Sequence, residues 1–516
     1  MNWQTKSGVL EYTHHLLVIM VDNNSLESLN FKLLPPPVNL PKYAKNQMAQ
    51  ASFFAQTNFA QGLYRYKDVF GIKREDRKRH MYIVGKSGMG KSKLLENLIR
   101  FDISYGFGLA VIDPHGDLVK QILEFIPEKR LNDVVYVNPG DTECAISFNP
   151  FAQVPAEYRQ IVAQGLVEIF KKQFASTWTP RIEHLFRFAT LATLENSDGT
   201  LYGFLQLLTD PHYRQQAMKH VTDEVVKRFF TVEFAGFTQK YDQEAITPLT
   251  NRLGQFFADP LLRAVFSQKE SKIDFEEIMN QKKILLINAS KGTLGEENSA
   301  LFATFFLTKI NQTAMARAKI PEKERKNFYL YVDEFQNVAT KSFTSLFSES
   351  RKYGINITVA NQYLAQIPED LQEAIFGNVG TLIAFRVSGA DSERLSQEFQ
   401  PLVEPKDLTN IGGREFYIKM SVEGKVTTAF SATSMDVIEV NRPERINQVI
   451  EESRKKFSRP IAEVLAPVMN DEVEKDEEEE DFEDEEETKE ESDPFMPLSD
   501  GDVEKKDKLE DMLPPI

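Results

Sequence analysis

The chain has 516 residues, enough for two or three domains with cores of their own. Its 41% apolar and 27% charged residues are ordinary for a water-soluble protein, and a single cysteine, Cys144, excludes an internal disulfide framework and suits a reducing compartment. The net charge of −16 belongs to a tail: from Asp471 to Ile516 there are 23 acidic and five basic residues, a net of −18, which leaves +2 for residues 1–470, so the acidity says nothing against a nucleic-acid partner.

In chain order, residues 1–70 are of mixed character. Leu16–Val21 is strand-like and far too short to span a bilayer, and nothing resembles a signal peptide. The expected location is cytoplasmic, or peripheral at the inner face of the membrane through partners. Pro35–Pro37 favour an extended connector over a helix. The basic run "KREDRKRH", residues 73–80, reads as a solvated lead-in.

The next stretch carries chemistry. Met81–Val84 is a buried-strand run, and Leu94, Leu95 and Leu98 give a helical stripe. Between them Gly85, Lys86, Ser87, Gly88, Met89, Gly90, Lys91 and Ser92 fit G-x-x-x-x-G-K-[ST] without a mismatch. The glycines let successive N–H groups curl around a phosphate, and the helix adds its positive end. Lys91 can reach the β- and γ-phosphates, and Ser92 can ligate Mg²⁺. The flanking strand and helix argue against a chance glycine loop. The expected ligands are ATP and Mg²⁺.

"GLAVIDPHGDLV", Gly108–Val119, reads as a second buried strand ending in a turn, which continues a doubly wound α/β pattern. From about 151 to 270 the strand signal fades, and an all-helical insertion is expected: Val162, Leu166 and Ile169 share one face, as do Leu185, Phe188, Ala189 and Ala192. Strand signals return in "KILLINAS", "FYLYVDEF", "NITVANQ" and "TLIAFRV", and "REFYIKM" and "KVTTAFSA" around "SVEG" read as a closing hairpin. The nucleotide domain is therefore expected in two parts, 71–150 and 271–445, with 446–516 a linker and an acidic tail that cannot bury enough apolar surface to fold.

Hydrolysis needs a second acidic site. Asp333 and Glu334 follow a buried strand, at the end where ligands sit in open parallel sheets. Asp333 is placed to hold Mg²⁺ through water, and Glu334 to orient and activate the attacking water. The competing reading is a helix cap built from two acids. Gln362 closes the next strand and is placed to contact the γ-phosphate or the attacking water; a plain turn residue is the alternative.

"GKSGMGKS", "VIDPHGD", "YVDEFQN" and "SRKYGINITVANQ", in this order and with a helical insertion after the second strand, resemble the conjugative coupling ATPases of type IV secretion systems, the TraG/TraD-type motors, over roughly residues 65–445. "WTPRIEH" narrows the resemblance. It implies a RecA-like motor that assembles as a homo-hexameric ring and pumps DNA, gripping the backbone without sequence preference. The insertion would recognise the substrate complex, and a relaxase or secretion-channel proteins would be partners. It also implies that Arg351 is supplied to a neighbouring subunit's nucleotide; a surface ion pair with Glu349 or a neighbour is the alternative. Asp113 and His115 match a motif whose chemistry the residues alone do not give. Family members usually carry N-terminal transmembrane helices, which this chain lacks, so either a partner supplies the anchor or the motor is cytosolic. The competing functions are a cytosolic DNA-processing translocase for repair or segregation, a secretion ATPase acting on protein substrates or assembling a pilus, and a nucleotide-gated recruitment module.

Overall fold

The computed structural model describes residues 31–466, apart from 45–47, 62–63, 66, 153, 175–176, 238–241 and 341–342. The strand-like run at 16–21 and the acidic tail lie outside the described residues. Among the described residues no helix is long and apolar enough to cross a membrane.

One sheet organises the molecule. Its strands in chain order are β1 (Ala51–Thr57), β2 (Val69–Lys73), β3 (Met81–Val84), β4 (Gly108–Asp113), β5 (Val134–Val137), β6 (Ile284–Asn288), β7 (Phe328–Val332), β8 (Ile355–Asn361), β9 (Thr381–Ala384), β10 (Glu415–Lys419) and β11 (Phe430–Ser434). Across the sheet the order is β2-β1-β11-β10-β9-β3-β8-β7-β4-β6-β5. From β9 to β5 all neighbours are parallel. These strands are near-continuous apolar runs because helices cover both faces. From β9 to β2 all neighbours are antiparallel. β10 and β11 are the expected hairpin, and the turn between them passes through Glu423 and Gly424, both at positive φ.

β1 and β2 add to the sequence expectation, which placed only a strand-like run at 16–21 and a connector in this region. The proline-rich connector is also packed: Leu34 and Leu40 are buried, and the Leu34 N–H donates to Ser431 Oγ at 2.8 Å. Both outer edges of the sheet are covered. Residues 41–43 lie along β2, where the Tyr43 N–H donates to the Val69 carbonyl at 2.7 Å and the Gly71 N–H to that of Pro41 at 3.0 Å. At the other edge a helix, Pro443–Phe457, lies against β5, and Ser453 Oγ accepts from the Tyr136 N–H at 2.8 Å and donates to its carbonyl at 3.4 Å.

The basic run at 73–80 is a correction. Arg74 and Arg77 are buried, not solvated. They converge on Asp102 in the last turn of α1 (Lys91–Ser104): Arg74 pairs with it, and Arg77 reaches it at 2.8 Å. Tyr331 on β7 donates its hydroxyl to Asp102 at 2.6 Å and accepts from Arg77 at 2.7 Å. The guanidiniums lie over the rings of Phe107 (4.0 Å, Arg74) and Tyr329 (4.2 Å, Arg77), which spreads their excess positive charge onto ring faces.

Between residues 159 and 266 the ordered elements are helical. α3 (Arg159–Gln173) packs on α4 (Pro180–Glu195) and on α5 (Glu296–Ala316), with Phe170 touching Phe186 (4.7 Å) and Phe305 (5.9 Å). Part of "WTPRIEH" has a local structural cause. Thr179 caps α4 by accepting from the Ile182 N–H, and Pro180 takes the first helical position, where its missing N–H costs nothing.

Candidate active site

The parallel half places four chain segments side by side. β3 ends at Val84 and opens into the glycine loop; β8, β7 and β4 follow in the sheet and end next to Gln362, Asp333 and Asp113. All the sequence-expected site residues except Arg351 therefore gather at one edge.

The loop is forced by sterics. A Cβ on Gly85 would stand 2.5 Å from Phe385 Cβ, and Gly90 holds φ 109 where α1 begins. Lys86 donates its N–H to the Arg386 carbonyl at 2.8 Å, while Ser87 and Gly88 form an exposed tip. Arg414 seats the far side of the loop, donating its N–H to the Met89 carbonyl at 3.0 Å. Sequence inspection missed Arg414, whose φ of 68 follows Gly412–Gly413. Lys91 curls back on the loop, its ammonium donating to the carbonyls of Gly85 (2.6 Å) and Lys86 (3.2 Å). Burial lowers its pKa, and Glu334 and Asp333 oppose that.

Ser92 Oγ donates to Asp333 Oδ2 at 2.9 Å. Asp333 is buried, and its carboxyl is pushed up to about 6, first by burial and then by the charges of Glu334 and Asp113. Glu334 stands at φ 47, a conformation uncommon for a non-glycine residue. Its carboxylate makes no capping bond to the turn that follows, whereas Asp333 Oδ1 accepts from the Glu334 N–H at 2.9 Å. The Glu334 carboxylate instead accepts from two amides, Gln362 Nε2 at 2.7 Å and Gln336 Nε2 at 2.6 Å. Sequence reasoning missed Gln336; its signal was its place two residues after Glu334.

Asp113 accepts from the N–H groups of His115 (2.9 Å) and Val119 (3.0 Å), which fixes the turn into α2 (Asp117–Phe125), while His115 is exposed. Arg351 lies apart. It precedes β8, at the end away from Gln362, is exposed, and has no ion-pair partner among the described residues; no pair with Glu349 forms.

The donor set suits Mg²⁺. A hydroxyl and a buried carboxylate with raised pKa are hard oxygen ligands, and this cation takes one or two protein oxygens together with phosphate and water.

A mainly parallel sheet with a phosphate loop facing an acidic strand end defines a RecA-like P-loop NTPase. The chain belongs to a family within that class: the model for the type IV secretion-system coupling protein DNA-binding domain matches residues 68–400. No curated protein matches it significantly. Among solved structures it is similar to the unbound bacterial conjugative coupling protein TrwBdeltaN70, at 13% identity and a TM-score of 0.54, covering 80% of this chain and 96% of that one. It is likewise similar to the plasmid coupling protein TrwB in complex with ADP and Mg²⁺, at 12% identity and 0.55, covering 82% and 99%. At these identities the likeness concerns the fold.

Proposed function

We propose that the protein is an ATP-driven DNA-translocating motor of the conjugative coupling type. The observation that supports this most is the Ser92–Asp333 and Glu334–Gln362 constellation facing the glycine loop, in a chain of the coupling-protein family. Lys91 would leave the loop carbonyls for the β- and γ-phosphates, and the ammonium would offset their charge. Ser92 and Asp333 would hold Mg²⁺, which would supply positive charge to offset that developing on the phosphates. Glu334 would take the proton of the attacking water on its carboxylate, and Gln362 would fix that carboxylate's direction and sense the γ-phosphate.

The ring is proposed on the position of Arg351. β8 has seven residues, about 23 Å of chain at roughly 3.3 Å per residue, between Arg351 and its own subunit's phosphates. A neighbouring subunit's nucleotide is the natural target of that guanidinium, and a homo-hexamer would provide it. The helical stretch 151–270 would recognise the substrate complex, and relaxase or channel proteins would be the partners.

The test is ATP turnover with and without DNA. Expected is Mg²⁺-dependent hydrolysis, stimulated by DNA of any sequence, with an effect that falls steeply as salt rises because each neutralised phosphate releases counterions. Equal rates with and without DNA from low to moderate salt would remove translocation and favour a motor acting on proteins.

A further inference from the structure

Glu334 opens a short turn whose backbone bonds are local: the Asn337 N–H donates to the Glu334 carbonyl at 3.0 Å, and those of Val338 and Ala339 to the Phe335 carbonyl at 3.0 and 2.9 Å. The turn Phe335–Asn337 is anchored by the buried Phe335 ring, but Gln336 Oε1 and Asn337 Nδ2 are buried and have no partner among the described residues. Two ammonium groups reach the turn from outside. Lys291 reaches Asn337 Oδ1 at 3.3 Å. Lys172, in the last turn of α3, donates to the carbonyls of Gln336 at 3.2 Å and Asn337 at 3.0 Å. Gln336 in turn grips Glu334 Oε2.

A lysine at a helix end would ordinarily serve its own helix, as a cation near the negative C-terminus. Lys172 instead spends its bonds on carbonyls 164 and 165 residues further along the chain. Lys172 is an exposed residue, and burial by the surrounding chain lowers the pKa of its ammonium to about 8. The preceding residue faces elsewhere. Lys171 donates to Glu183 Oε2 at 2.9 Å, which also accepts from Trp178 Nε1 at 3.2 Å, in a cleft of about 380 Å³ beside the start of α4. Consecutive side chains at one helix end thus hold the cleft of the helical stretch and the loop of the hydrolytic carboxylate.

We infer that Lys172 is a positioning residue: through Gln336 it fixes Glu334, so the helical stretch sets the aim of the water-orienting carboxylate. The inference rests on the role of Glu334 proposed above. When the end of α3 shifts, Lys172 moves with it, and Glu334 is re-aimed without any change at the phosphate loop.

The test compares Lys172→Met, which keeps length but loses the charge, with Lys172→Arg and with Lys171→Ala as a neighbouring control. The readouts are kcat and KM for MgATP, thermal melting, and hydrogen exchange of the 334–338 amides. Lys172→Met is expected to lower kcat about ten- to a hundredfold, as a small misplacement of a catalytic group does. KM and melting should stay near wild type, exchange at 334–338 should rise, and Lys172→Arg should restore most of the rate. Unchanged kcat in Lys172→Met overturns the inference, as does a loss shared equally by Lys172→Arg or Lys171→Ala. If the wild-type protein hydrolyses no ATP, the proposed function fails, and the exchange measurement decides alone: no rise at 334–338 in Lys172→Met removes Lys172 as the loop's anchor.

Discussion

Two clusters of buried charge share α1 and β7, and they are built in opposite senses. At the end of β7, Asp333 lies close to Glu334 and Asp113, and burial and these like charges push its carboxyl up to about 6. Two residues earlier on the same strand, Tyr331 joins the other cluster, in which Asp102 is fully buried. There burial opposes ionisation, but Arg77 and Arg74 more than offset it and hold the carboxyl below its usual range. α1 runs from one cluster to the other, with Ser92 at its start and Asp102 in its last turn. The second cluster joins opposite charges: two guanidiniums and a hydroxyl converge on one carboxylate, and although Arg74 Nε and Nη2 and Arg77 Nε are buried without a hydrogen-bond partner among the described residues, the shared carboxylate ties α1 to β7 and fixes geometry. The first carries acidic charge that the nearby Lys91 ammonium does not balance by itself, which leaves a place for a cation from outside and is how a binding site differs from a brace.

The contrast can be broken or sharpened by asking which variants lose rate and which lose stability. The largest expected effect lies in neither cluster. Arg351→Ala should reduce turnover by about 10³–10⁵ if the guanidinium acts on a neighbour's nucleotide, with ATP binding retained. Mixing it with Lys91→Ala subunits should restore activity above either variant alone; no recovery in confirmed mixed rings would refute sharing of the site. Within the first cluster, Glu334→Gln should cost about 10²–10⁴ in turnover, leaving nucleotide binding and melting unchanged. Full turnover there would remove Glu334 as the base.

The second cluster should respond the other way. Asp102→Asn leaves two buried guanidiniums without their carboxylate and should lower unfolding free energy by about 3–5 kcal/mol in denaturant titrations. A stability near wild type would mean the network is no brace.

His80 is a third buried titratable group, and its effect depends on pH. Burial lowers its pKa to about 4 from 6.5, and Arg351 adds to this. Its Nδ1 accepts from the Ile357 N–H at 3.2 Å, which requires the neutral ring. Below 6.5 the unfolded chain gains a proton that the folded protein refuses. The contribution is therefore complete above about pH 6.5 and is lost as pH falls toward 4, by at most about 3 kcal/mol. His80→Asn, which tolerates the positive φ, should flatten the stability profile over that window; an unchanged slope would assign it to other groups. The smallest effect expected is that of Tyr331→Phe. It removes one hydroxyl from Asp102 and Arg77 and should cost about 1–3 kcal/mol with turnover unaltered. A fall in turnover without a fall in stability would show that the brace feeds the site after all.

What could be read from the sequence follows from how local each feature is. The glycine loop and the strands ending near Asp333 and Gln362 are local patterns, because a backbone that cradles phosphate and a strand end that presents an acid are written within a few residues. Arg74 and Arg77 could not be placed that way. Their partner Asp102 lies on α1, and the hydroxyl partner of Arg77, Tyr331, more than 250 residues away, so a run rich in Lys and Arg looks like a solvated surface until the fold closes. β1 and β2 were missed for the same reason: short strands of an antiparallel edge are recognised by the neighbours they pair with. Gln336 and Lys172 meet in a loop whose shape no propensity encodes.

The way Ser453 caps β5 has a consequence for how the molecule behaves in concentrated solution. Its single hydroxyl imitates the next strand at Tyr136, giving and taking one hydrogen bond each, while residues 41–43 do the equivalent along β2. An uncovered strand edge is a template for sticking to other copies. A chain shortened before Pro443 would expose that template, and its first symptom would be turbidity rather than a defect in nucleotide chemistry.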